Sequence, residues 1–239
     1  MRTTKLLSLI MVLIMPLFMV SCDKDDELIP ENFAAGEIPG LGSADGELTG
    51  IPFTLPSGVT LIKEITGAGN YADYWSQSHG DEVRHYFGSG RGYVDLLIPL
   101  RNSNSGNITV TFPAGTIIRS KSNGYQHGVL IKKVTISIPA NSDYYLSLSL
   151  YCGNEHRGSA GSSTIYEWAV VSNASLLIDL CERIKNKKIN IEEFSPTSAD
   201  DYRTCSLLVS TLQRIVWRIT DGKGLTESDI EYINSLPNS

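Results

Sequence analysis

The feature that most constrains the fold is a period-two alternation of apolar residues that recurs between about residues 93 and 152. It is clearest in residues 144–152, where Leu146, Leu148, Leu150 and Cys152 share one parity. Such alternation places one set of side chains on the buried face of a β-strand. Shorter runs of the same kind occur at 93–100, 108–112 and 134–138.

Turn-forming residues separate these runs, as in the Pro, Ala and Gly of 113–115 and the Pro, Ala and Asn of 139–141. Several short strands at this spacing are typical of antiparallel sandwiches. We therefore predict a mainly antiparallel, Ig-like β-sandwich of about seven to nine strands over residues 51–172.

The period changes after residue 172, where apolar residues recur at helical spacing. One helix is predicted near 173–187, with Ser172 or Asn173 as its N-cap. A second is predicted over 199–219, and a capping box from Thr226 to Asp229 opens a short third helix. These segments predict a C-terminal helical subdomain, residues 173–239, packed on the sandwich.

The first residues of the chain have the parts of a secretory signal. Arg2 and Lys5 precede an apolar run from 6 to 20, which is shorter than the roughly 20 residues that span a bilayer and ends at Ser21 before Cys22. This pattern resembles the lipobox of bacterial lipoproteins, with Met19 where that family commonly has Leu. The resemblance implies that residues 1–21 are removed and that Cys22 carries the lipid that anchors the protein to a membrane.

Lys24, followed by three acidic residues, resembles the export signal of surface-exposed lipoproteins of Bacteroidota. A solvated tether would have the same composition. We expect an outer-membrane location facing the cell exterior, with residues 22–50, which are rich in Gly, Pro and acids, as a flexible tether. The mature chain has 18 basic against 26 acidic residues. Because no basic patch is visible, we expect no nucleic-acid partner.

With Cys22 lipidated, Cys152, Cys181 and Cys205 remain. Cys181 and Cys205 lie about six residues before and after the link between the first two helices, so an antiparallel hairpin brings them level. We therefore predict a disulfide between these two residues. The alternative is three buried thiols, since free cysteine often packs as a small hydrophobic residue.

Two segments carry candidate ligand-binding residues. The first contains Tyr71, Asp73, Tyr74 and Trp75, which combine aromatic faces with a carboxylate, as sugar-binding surfaces do; large aromatics can instead close the end of a core. The second segment follows the strand ending at Cys152, and loops carried by rigid strands often bear function. Its alternative is an ordinary solvated loop. Its candidates are Asn154, His156 and Arg157.

No nucleotide-binding, metalloprotease or serine-hydrolase motif is present, and the four histidines have no partners at metal-ligand spacing. We expect no cofactor, no metal site and no catalytic residues. The sequence favours a non-catalytic surface lipoprotein that binds a glycan or another extracellular ligand. The alternatives are a structural or assembly subunit of an envelope complex, with an envelope protein as partner, and a hydrolase such as a glycosidase. The hydrolase would require carboxylates from distant segments, for example Asp73 or Glu167.

Overall fold

The computed structural model describes the chain from Gly36 to Ser239, with internal gaps. The predicted signal, the lipidation site Cys22 and the aromatic segment 71–75 lie outside the described residues. Side chains are described except at 78–79, 82–84 and 199–204. The described backbone comprises residues 36–68, 78–79, 82–90, 92, 94–194 and 199–239.

The strands that the structure describes all lie within residues 50–172, close to the range 51–172 that was predicted to form strands. The bounds are β1 Gly50–Pro52, β2 Val59–Leu61, β3 Ile65–Gly67, β4 Ser78–His79, β5 Glu82–Gly88, β6 Val94–Asn102, β7 Ile108–Phe112, β8 Thr116–Ser120, β9 Gly128–Val129, β10 Val134–Ile138, β11 Ser142–Cys152 and β12 Ile165–Ser172.

In the part of the chain that the structure describes, three α-helices and one short 3₁₀ helix follow the strands. They are α1 Ser175–Ile184, the 3₁₀ helix Ile191–Glu193, α2 Ala199–Thr220 and α3 Glu227–Ser235. The capping box at α3 is confirmed, with Thr226 and Asp229 bonding each other's backbone N–H groups. The N-cap predicted for α1 is wrong: the cap is Ala174, and Ser172 instead accepts the backbone N–H of Ala174 in the preceding turn.

The predicted β-sandwich is wrong, because six strands close into a barrel in the order β6, β3, β12, β8, β9, β11 and back to β6. The long strand β11 closes the ring. It pairs antiparallel with β6 over nine residue pairs, from Ser142–Asn102 to Leu150–Val94, and its last two residues pair with β9. A sandwich needs two sheets without such a shared strand. β1, β2 and β5 extend the wall of the barrel, and β5 runs parallel to β11.

The barrel interior holds one of the two apolar clusters of the core and confirms the predicted parities. Val94, Leu96, Ile98 and Leu100 of β6 are buried together with the matching residues of β11. The antiparallel pair β7–β10 contributes its own buried face to the same core. Phe112 of β7 lies among aromatic rings, with its centroid 5.6 Å from Phe53 and 5.5 Å from Trp168.

The helices pack on the outside of the barrel as part of the same compact unit, so the prediction of a helical subdomain is wrong. A second apolar cluster joins outward-facing residues of the strands and their connections to the inward faces of all three helices. Because the helices bury part of the outer wall, the described residues form one compact unit. The strand side of this cluster consists of Ile117, Val129, Ile131 and Tyr151.

Part of the predicted tether belongs to this packed unit. Ile38 and Leu41 are buried in the helix-facing cluster, and Leu41 is 0% exposed. Apolar side chains in this Gly- and Pro-rich stretch therefore dock it on the barrel. Packing begins by residue 38 instead of residue 51.

Candidate functional site

A polar cleft of about 420 Å³ lies between the docked N-terminal segment and one end of the barrel wall. This volume is within the range of small-molecule sites. The segment 40–48 forms one side, and the end of β8, the following loop and Arg157 form the other. The lining residues are Gly40, Asp45, Gly46, Glu47, Leu48, Arg119, Ser120, Asn123, His127 and Arg157.

Asn154 fixes the N-terminal side of the cleft from below. Its Oδ1 accepts the backbone N–H of His127 at 3.1 Å, and its Nδ2 donates to the carbonyls of Gly40 at 3.1 Å and Gly42 at 3.2 Å. Asn154 is completely buried. The structure therefore gives this predicted ligand-binding residue a supporting position beneath the cleft.

Gly42 allows the segment 40–48 to lie close to Gly153 and to the end of α2. Its φ is 58°, and its N–H donates to the carbonyl of Gly153 at 2.7 Å. A Cβ at this position would lie 2.4 Å from the carbonyl oxygen of Thr220 at the end of α2. Only glycine fits both the left-handed backbone and the contact with the helix.

Gln126 fixes the Arg157 side of the cleft. Its Nε2 donates to the carbonyl of Arg157 at 2.8 Å, and its backbone N–H donates to Gly158 at 2.9 Å. The Tyr166 hydroxyl of β12 donates to the carbonyl of Gln126 at 3.2 Å. The backbone beneath Arg157 is thus bonded to the barrel through Gln126, while the Arg157 side chain remains half-buried at the cleft.

His127 lies at the inner wall of the cleft and is 6% exposed. Its Nδ1 accepts the backbone N–H of Ser120 at 3.1 Å, and its Nε2 lies 3.0 Å from Nη1 of Arg157. The pKa of His127 is lowered to about 4. Burial is the main cause, and the positive charges of Arg157 and Arg119 contribute the rest. The ring is therefore neutral at pH 7.

Arg119 connects three segments at the rim of the cleft. Its Nε and Nη2 donate to Oε1 of Glu167 at 2.9 and 2.6 Å, and its Nη1 donates to Oε2 of Glu47 at 3.0 Å. Arg119 and Glu167 are direct cross-strand neighbours on β8 and β12. The hydrogen bond with Glu167 is the main reason that the pKa of Arg119 is raised.

The structure brings only some of the predicted site residues together. Arg157 lines the cleft and Asn154 supports it, whereas the side chain of His156 is exposed and is not among the lining residues. Tyr71, Asp73, Tyr74 and Trp75 lie outside the described residues. Four further lining residues were not predicted from the sequence: Arg119, His127, Asp45 and Glu47. For Arg119, the available signal was a charged residue directly after the apolar pair Ile117 and Ile118.

The predicted disulfide between Cys181 and Cys205 is not formed; the three cysteines of the described part are thiols. The chain does not turn back directly after α1, because residues 189–194 first pack on the barrel. Cys181 then faces the backbone of Gly115, and burial raises its pKa to about 12. Cys205 lines a separate apolar cavity of about 260 Å³ with Phe194 and Tyr232.

Within the described ranges, no cluster of three or more His, Cys, Asp or Glu side chains is arranged to hold a metal ion. The helices found there are all too short or too polar to cross a membrane. No protein-family model, curated protein or solved structure matches the chain.

Proposed function

We propose that this protein is a lipid-anchored binding protein of the bacterial outer membrane, and that the polar cleft holds its extracellular ligand. The similarity of residues 1–27 to exported lipoproteins supports the location. The cleft supports the binding role. Its ligand is a small polar molecule, with a glycan as the leading class, because guanidinium, carboxylate and amide groups at the lining can bond the hydroxyls of a sugar.

The observation that carries the proposal is a concave polar site held on a rigid support. Asn154 and Gln126 are buried and bond the backbone on both sides of the cleft. Arg157, Asp45 and Glu47 line the cleft between these supports. Preorganised polar groups lose little conformational freedom when a ligand binds, which favours affinity.

The same geometry favours binding over hydrolysis. A pKa of about 4 makes His127 a poor proton carrier at neutral pH. Glu47 and Glu167, the two carboxylates that meet at the rim, both accept from the guanidinium of Arg119. Glycosidase chemistry needs one carboxyl to donate a proton to the leaving group and the other to act as base or nucleophile. An arginine that bonds both groups opposes this division of roles.

The test uses the full lipidated chain in detergent micelles on a glycan array. We expect binding to a restricted set of glycans, at least tenfold weaker in Arg157→Ala and unchanged in His156→Ala. The matched control is the neighbouring residue, whose side chain is exposed outside the cleft. Equal binding by both variants, or no glycan bound, would contradict the proposal and favour an assembly subunit. An intact mass without lipid at Cys22 would contradict the location.

A further inference from the structure

The hydrogen-bond donors that face the ring of His127 outnumber the acceptors that the ring can offer. A neutral imidazole has one N–H and one lone pair, and a protonated ring has two N–H groups. The Ser120 backbone N–H points at Nδ1 and the Arg157 guanidinium points at Nε2, so two donors face one ring. One lone pair cannot accept both.

The Ser120 bond takes the lone pair, because it is a fixed contact of the barrel. Ser120 ends β8 and is buried, and the backbone of His127 is held by Asn154. With Nδ1 as acceptor, the proton of the neutral ring is on Nε2. Turning the ring over would place carbon at both contacts. The Nε2–H therefore faces an N–H of Arg157 across 3.0 Å, donor against donor.

Two opposed donors at the wall of a cavity form a site that lacks its acceptor. Arg157 is half-buried and carried by a loop, so its guanidinium can move aside while the ring stays in place. An oxyanion between the two groups would accept both N–H bonds and would be held by charge-assisted bonds to Arg157. Buried polar groups in native proteins nearly always have partners, which is why this imbalance points to a ligand.

The other groups of the cleft limit what kind of anion fits. Asp45 and Glu47 line the same cavity, and Arg119 is already bonded to Glu47 and Glu167. A dianion such as phosphate would be repelled by these carboxylates. A sugar acid has one carboxylate for His127 and Arg157, and its hydroxyls can donate to Asp45 and Glu47.

Resting on the proposed function, we infer that the cleft is specific for acidic sugars, and that the Nε2–H of His127 and the guanidinium of Arg157 together bind the sugar carboxylate. In the unliganded protein, the guanidinium of Arg157 occupies the position that the sugar carboxylate takes on binding. The ligand displaces its contact with His127 and leaves the bond from Ser120 intact.

The experiment compares glucuronate with glucose, which has a CH₂OH group in place of the carboxylate. Binding to the full chain is measured by NMR with ¹⁵N-labelled histidine, which reports the Nδ1 and Nε2 signals of His127. We expect glucuronate to shift the Nε2 signal and to bind at least tenfold more tightly than glucose. Binding should weaken at least tenfold in Arg157→Met, and less in Arg157→Lys, which keeps the charge without the planar fork. His156→Gln should match the wild type.

The other outcomes separate this inference from the proposed function. If glucose binds as tightly as glucuronate, and Arg157→Met weakens both, the carboxylate assignment is wrong while the cleft remains a glycan site. If phosphate or acetate binds as tightly as glucuronate, the cleft is a general anion site and sugar specificity is wrong. If none of these probes binds and the glycan array is also empty, both proposals fail. The amide spectrum of each variant confirms that it is folded.

Discussion

Two buried polar contacts of this protein differ in how their hydrogen bonds are matched. Lys132 donates from Nζ to Oε1 of Glu193 and to the carbonyl of Lys187, each at 2.5 Å. The other oxygen of Glu193 accepts the N–H groups of Ile189 and Asn190 at 3.0 and 2.9 Å. Each of these four hydrogen bonds joins a donor to an acceptor. At His127, by contrast, two donors face one ring. The matched contact holds the segment between α1 and α2 to the barrel, whereas the unmatched one faces a cavity.

The largest effect is expected from breaking the matched contact. The side chains of Lys132 and Glu193 are 9% and 20% exposed, so Glu193→Ala would leave a buried ammonium without its counter-charge. We expect a loss of about 3–5 kcal/mol in the free energy of unfolding, measured by urea denaturation. The control is Glu182→Ala, whose side chain is 63% exposed and pairs with Lys185 on α1; it should cost less than about 0.5 kcal/mol. Similar losses in both variants would show that burial does not distinguish them.

The next effect is a pH dependence that originates at His127. Its pKa falls from 6.5 to about 4 on folding, so the unfolded chain binds more protons between these values. Stability is therefore fully present above pH 6.5 and is lost as the pH falls toward 4, by about 3 kcal/mol in total.

Urea denaturation between pH 4 and pH 7 measures the slope of the free energy of unfolding against pH. We expect His127→Gln to be less stable at pH 7 but to lose less stability on acidification than the wild type. His156→Gln, which replaces an exposed histidine, should keep the wild-type slope. An unchanged slope in His127→Gln would show that other groups are responsible for the acid sensitivity.

The local parts of the fold could be predicted from the sequence, and its closure could not. Alternation at Leu96, Ile98, Leu146 and Leu148 reflects which face of a strand is buried, and those side chains are inside. The difference between a sandwich and a barrel depends on where strands pair. That decision rests on the ladder between β11 and β6 and on two residue pairs between β11 and the two-residue strand β9. A strand of two residues has no periodicity to detect.

In the candidate site, too, local features could be predicted from the sequence and contacts between distant segments could not. Arg157 was found because it follows a strong strand, which is a local signal. His127 and Arg119 were missed because their roles arise from Ser120, Glu167 and other residues brought near by pairing of β8 with β12 and by docking of the segment 40–48. Asn154 was singled out because it follows the same strand, but its supporting contacts could not be predicted, since only the structure shows the carbonyls that it bonds.

A smaller effect is expected from removing the support beneath the cleft. Asn154→Ala deletes three hydrogen bonds and leaves the N–H of His127 and two carbonyls without that partner. We expect a loss of about 2 kcal/mol and faster hydrogen exchange at the N–H of Gly42, which bonds Gly153 beside it. Asn123→Ala is the control, because Asn123 is exposed at the rim. Unchanged exchange at Gly42 would show that apolar docking through Leu41 holds the segment without Asn154.

The smallest effect on stability, and the sharpest test of the comparison, is expected from Arg157→Met. If the contact with His127 opposes two donors, its removal should change the free energy of unfolding by less than about 0.5 kcal/mol. The pKa of His127 should rise from about 4, because Arg157 is the leading charge that lowers it after burial. A histidine titration by NMR measures this shift, with His156→Gln as the control. If Arg157 instead donates to a lone pair on Nε2, the variant should lose about 1 kcal/mol, as for an ordinary hydrogen bond, and the unsatisfied donor would then be the N–H of Ser120. That result would move the unmatched donor from the cleft to the backbone N–H of Ser120, and the reason to expect an anion beside Arg157 would be lost.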